Sequence, residues 1–133
     1  MPVEVKVQTF KECPSCHHAW REREEFLSDP TLRVVGYQAN MANMMAGLFL
    51  FQHDVPECGT SLAIAAEEFA DMHRGPIFEK CLYGTDRCPG YCMSSQSLLP
   101  CPAKCECAYV RDVLQEIRLR LAAARHIARH PVT

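Results

Sequence analysis

The sequence predicts an α+β protein: a small antiparallel sheet, short helices, a Cys-rich lobe and a long C-terminal helix. Three observations predict it. Residues 3–10, 32–38, 48–52 and 60–65 read as strands, through period-2 alternation or as short apolar runs between turn signals. Residues 108–130 carry Val110, Val113, Leu114, Ile117, Leu121, Ala124 and Ala128 at spacings of three and four, the stripe of an amphipathic helix. Residues 88–107 hold five of the nine cysteines and show neither period. A chain of 133 residues suits one domain. Within it, residues 1–76 make a sheet-bearing half, and residues 77–133 make the Cys-rich segment and the last helix.

The first strand sets Val3, Val5 and Val7 on one face and Glu4, Lys6 and Gln8 on the other. It runs into Cys13-Pro14-Ser15-Cys16. A short helix is expected over 19–27, with Trp20 and Leu27 inward and Ser28-Asp29-Pro30 as its stop. In the second strand Gly36 marks a bulge. Met41, Met44, Met45 and Leu48 fall at i, i+3, i+4 and i+7, one face of a helix that Gly47 would end. The strands at 48–52 and 60–65 make a hairpin around a turn at 53–59. A two-turn helix follows over 66–73, with Phe69 and Met72 inward and Gly75-Pro76 as its stop. Residues 77–83 fit a strand or a short helix. Pro131 ends the last helix.

The cysteines lie at metal-ligand spacings. Cys13 and Cys16 form a C-x-x-C knuckle, and the hairpin turn carries His53 and Cys58. Four Cys and His donors complete a structural zinc site. A strand leading into one knuckle, with a hairpin bearing the second pair, resembles a zinc ribbon over residues 3–65. The second pair departs from that pattern, being H-x4-C where a ribbon commonly has C-x-x-C. His53 is thus the least secure ligand, and His17 and His18 compete with it. Cys13-Pro14-Ser15-Cys16-His17 also matches the C-x-x-C-H of covalent haem attachment. That chemistry occurs outside the cytosol, and residues 1–10 show no export signal.

The second group repeats C-P-x-x-C, as Cys88-Pro89-Gly90-Tyr91-Cys92 and Cys101-Pro102-Ala103-Lys104-Cys105, with Cys107 one residue on. The segment has little apolar content to offset the entropy of ordering it, so a bound metal is expected. The first-choice ligands are Cys88, Cys92, Cys101 and Cys105. Cys107 competes with Cys105, because a helix N-terminus favours a thiolate there. Zinc is the first choice of metal and an iron–sulfur cluster the alternative, although the spacing is not the usual cluster run. Cys81 stands apart and is expected to be a core thiol.

Composition narrows the function classes. Net charge is −2, which argues against a surface wholly given to nucleic acid. Residues 111–129 nevertheless hold five arginines against Asp112 and Glu116. Arg111, Arg118, Arg125 and Arg129 share a helix face that can meet phosphates or an acidic partner. The longest apolar run, near residues 44–51, is far short of a membrane span. Without a signal segment the expected compartment is the cytosol, where clustered cysteines bind metal more often than they form disulfides. There is no phosphate loop, H-E-x-x-H or Ser nucleophile motif. Glu24-Glu25 and Glu67-Glu68 are adjacent on helices and do not face each other. The sequence thus points to a non-enzymatic cytosolic zinc protein with two structural sites and a protein partner. An iron–sulfur redox protein and a nucleic-acid-binding zinc protein are the alternatives.

Overall fold

Among the described residues, a two-stranded and a three-stranded antiparallel sheet make up the sheet-bearing half. The computed structural model describes residues 9–129 except positions 41, 74, 76, 79, 83, 84 and 95. The strand expected over 3–10 therefore lies almost wholly outside the described residues. The first hairpin is β1 (Lys11–Glu12) with β2 (Ala19–Trp20), paired antiparallel with Lys11 opposite Trp20 and Glu12 opposite Ala19. Its loop is the Cys13–Cys16 knuckle. The expected helix over 19–27 is thus only α1 (Arg23–Leu27), because pairing with β1 holds Ala19 and Trp20 extended. Trp20, Phe26 and Leu27 are all buried. Asp29 closes the helix, accepting from Trp20 Nε1 at 2.8 Å and from the Thr31 amide at 2.8 Å.

The main sheet is the meander β3 (Leu32–Gln38), β4 (Leu48–His53) and β5 (Ser61–Ala65). The β3–β4 register shifts between Val34 and Gly36, where the glycine marks a bulge. Along β4, Phe49, Phe51 and His53 turn to the buried face. The expected Met41–Leu48 helix contracts to one 3-10 turn, Met44–Ala46. Asn43 caps it by accepting from the Met45 amide, and Leu48 is already in β4. Residues Ala66–Met72 form a 3-10 helix with Phe69 fully buried.

The last helix, α2 (Ala108–Arg129), is 22 residues long, about 33 Å at 1.5 Å per residue. Val110, Val113, Leu114, Ile117 and Leu121 are buried. The expected stripe stops there: Ala124 is half-buried and Ala128 exposed, because the body of the protein ends before the helix does. One buried cluster joins Trp20, Phe26, Phe49, Phe51 and Phe69 to Leu114, Ile117 and Leu121, so both halves share a core. Polar contacts tie α2 to the sheet half. Arg125 donates to the Leu32 carbonyl at 2.9 Å, and Arg120 meets Glu24 at 3.3 Å. Among the described residues, no helix is long and apolar enough to cross a membrane.

Candidate metal centre

The β1–β2 loop, the end of β4 and the β4–β5 turn bring Cys13, Cys16, His53 and Cys58 together. Their four donor atoms all lie within 4.8 Å of one another, and the quartet can hold a metal ion. Cys13 Sγ is 3.5 Å from Cys58 Sγ, and Cys16 Sγ is 3.6 Å from His53 Nδ1. The knuckle is closed by backbone: the Cys13 amide donates to the His18 carbonyl at 2.8 Å, and the His17 amide donates to the Cys13 carbonyl at 3.0 Å. This wrap puts His17 at a φ of 62°, a left-handed conformation that costs a side-chain-bearing residue about 1–2 kcal/mol.

His53 is placed by the strand and not by the turn, which corrects the sequence reading. It is the last residue of β4, and strand alternation aims its ring inward behind Phe51. The ring is buried and packs edge-on against Trp20 at 5.1 Å. The competing ligands fall away from the quartet. His17 is exposed and faces Glu12 at 3.7 Å, and His18 packs on Trp20 at 4.8 Å. A haem ligated by His17 finds no support in this arrangement.

The environment sorts the thiols. Burial raises the Cys13 thiol, but amides of Cys16 and Ser15 and bonds from His53 and Cys58 outweigh it, bringing the pKa to about 6. The His18 amide lowers the Cys16 thiol, yet desolvation and the neighbouring Cys13 and Cys58 leave it raised. Nearby, burial pushes the Asp29 carboxyl up, while Thr31 and Trp20 hold it below the usual carboxylate range.

The second group also converges. Cys88, Cys92, Cys101, Cys105 and Cys107 line one cavity of about 10 Å³ together with Arg111. Its sulfurs are more loosely gathered: among the described residues, the first quartet alone brings its donors close enough for one ion. Cys107 interacts with Cys92, Cys101 and Cys105. Cys105 is buried and accepts from the Leu82 amide at 3.2 Å. The helix start does not make Cys107 the acidic thiol. The neighbouring Cys107 and the Arg111 guanidinium outweigh desolvation and bring Cys92 to about 6, while Cys92 and burial push Cys107 up. Cys81 is exposed, not a core thiol, because the chain before Leu82 runs along the surface.

Arg111 corrects the picture of a solvated arginine face. It is fully buried, while Arg118 and Arg129 are exposed and Arg125 is half-buried. The Cys-rich segment folds over the first turn of α2, so the Ser97 and Leu99 carbonyls accept from Arg111 Nη1 at 3.1 and 2.9 Å. The sequence carried one signal of this role, since a cation in a first helical turn opposes the helix dipole and needs compensation. Comparison with family models, curated proteins and solved structures finds no match for this chain.

Proposed function

We propose that this chain is a non-enzymatic zinc-binding protein in which Cys13, Cys16, His53 and Cys58 hold a structural zinc ion, in the manner of a zinc ribbon. One observation carries the reading: the four donors lie within 4.8 Å of one another, and two of their six separations are close to the edges of a zinc tetrahedron. With Zn–S near 2.3 Å and Zn–N near 2.0–2.1 Å, tetrahedral angles require S···S of about 3.8 Å and S···N of about 3.6 Å. Cys13 Sγ to Cys58 Sγ is 3.5 Å, and Cys16 Sγ to His53 Nδ1 is 3.6 Å. Four protein donors leave no open position for a substrate or an activated water, which favours a structural role over catalysis. The ion would clamp the β1–β2 loop to the end of the β4–β5 hairpin, replacing apolar packing that such short strands cannot supply.

The surface is proposed to serve a protein partner in the cytosol. Leu119 and Ile127, on the outer part of α2, are 67% and 66% exposed and support this. Nucleic-acid contact has less behind it, because Arg111 is withdrawn from the face and Arg118 and Arg125 bond the chain's own carbonyls. Elemental analysis of purified protein, combined with a visible spectrum, tests the metal reading. The expected result is a colourless protein with at least one zinc per chain. Less than one metal per chain would overturn it.

A further inference from the structure

The described residues contain three buried side-chain polar atoms without a hydrogen-bond partner: Tyr37 Oη, Ser97 Oγ and Arg111 Nη2. All three belong to one place. The Arg111 guanidinium lies over the Tyr37 ring at 5.2 Å and the Tyr91 ring at 5.7 Å, and it bonds the Ser97 carbonyl. Its Nε donates to Cys92 Sγ at 3.4 Å. A fully buried guanidinium costs several kcal/mol unless an anion balances it. No carboxylate is paired with it among the described residues. The groups that face it are the Ser97 and Leu99 carbonyls, the Cys92 sulfur and two aromatic rings. Neutral thiols or a disulfide would leave this cation unbalanced, whereas a Cys92 thiolate, free or bound to a metal, would balance it.

We propose that the Cys-rich lobe holds a second, single-ion zinc site ligated by Cys92, Cys101, Cys105 and Cys107, and that Arg111 is the built-in counter-cation of this anionic centre. Zinc with four thiolates carries a net charge of −2, as two positive charges meet four negative ones. That centre supplies the missing anion, and its sulfurs are acceptors for the Arg111 and Leu82 N–H groups. Cys92, Cys101, Cys105 and Cys107 line one small cavity with Arg111, and their spacing is not the usual iron–sulfur run. Cys88 lines the same cavity as a fifth thiol, and on this proposal it stays outside the ligand set. The sequence reading had Cys88 among its first-choice ligands and Cys107 as a rival of Cys105. The proposal rests on the metal-binding reading and extends it to a separate site.

The test loads the full-length chain with zinc alone and counts zinc per chain in the wild type and in Cys13→Ser, Cys92→Ser, Cys88→Ser and Arg111→Met. The wild type and Cys88→Ser are expected to hold two zinc ions. Cys13→Ser and Cys92→Ser are expected to hold one each. Arg111→Met is expected to weaken one of its two sites by 10- to 100-fold in chelator competition, with the other unchanged. Arg111→Lys should recover part of the loss, and it serves if the methionine variant does not fold. Cobalt substitution adds a spectroscopic check, since Cys13→Ser should leave the charge-transfer intensity of a four-thiolate centre. One zinc in both the wild type and Cys92→Ser overturns the second site, as does a mass 2 Da low from a Cys92–Cys107 disulfide or an iron–sulfur spectrum. Two sites of unchanged affinity in Arg111→Met overturn the counter-cation. One zinc in the wild type with its full retention in Cys13→Ser would instead defeat the first site and leave the second standing.

Discussion

His53 offers the sharpest single test of the first site, because its ring both packs and, on this reading, ligates. Two variants separate the roles. His53→Phe keeps a ring against Trp20 and fills the same buried place behind Phe51, but offers no nitrogen. On packing grounds alone this near-isosteric change costs less than about 1.5 kcal/mol. Ligation predicts far more. Structural zinc contributes about 10–16 kcal/mol in small zinc-dependent folds, so one of four donors carries about 2.5–4 kcal/mol. At 1.4 kcal/mol per decade, zinc affinity falls by about two to three decades. His53→Ala should fall as far and lose packing as well. The assay is competition against a chromophoric chelator, read beside the thermal unfolding of each variant with zinc in excess. His53→Phe binding zinc as tightly as wild type, while Cys13→Ser does not, would refute His53 as the fourth donor and reopen the place for His17 or His18.

Three further predictions follow the same logic. His17→Gly should stabilise the zinc-bound protein by about 0.5–1 kcal/mol, because relief of the left-handed strain exceeds glycine's extra unfolded-state entropy; a loss of stability in denaturant titration would show that the His17 side chain contributes more than its strain costs. The Asp29 carboxyl lies below its unfolded value, so its contribution is complete above about pH 4 and is lost as the pH falls through the folded pKa. Asp29→Asn should therefore flatten the acid limb of a pH unfolding curve followed by Trp20, the chain's one tryptophan, and an unchanged limb counts against the coupling. Leu114→Ala should cost about 2–5 kcal/mol, since its side chain is fully buried, whereas Leu119→Ala at 67% exposure should stay within about 0.5 kcal/mol. Equal losses in the two would contradict the orientation of α2.

Much of this was legible in the chain itself, wherever the signal was local. The meander strands, the bulge at Gly36 and the long helix each follow from periodicity and turn chemistry within a few residues. The ligand types also declared themselves, because C-x-x-C and C-P-x-x-C are knuckles whatever surrounds them. The sequence misled where two local preferences competed. Ala19 and Trp20 look helical, but hairpin pairing across the knuckle claimed them. Leu48 completes a helical stripe, but it also begins the alternation Phe49, Phe51, His53, and the sheet outcompetes the helix. That alternation could have placed His53 inward, had the strand been carried one residue further.

The amino-acid sequence by itself determined an α+β chain with two sulfur-rich groups and a long amphipathic helix, since these depend on residue type and spacing alone. Only the tertiary structure decided which donors meet. It chose His53 over His17 and His18, because a strand end and a loop 37 residues apart had to be folded onto each other. It also turned Arg111 from one of a surface row into a fully buried cation beside Cys92. A helix has an inside only once something is laid over it, and the segment that covers this turn is the Cys-rich lobe itself.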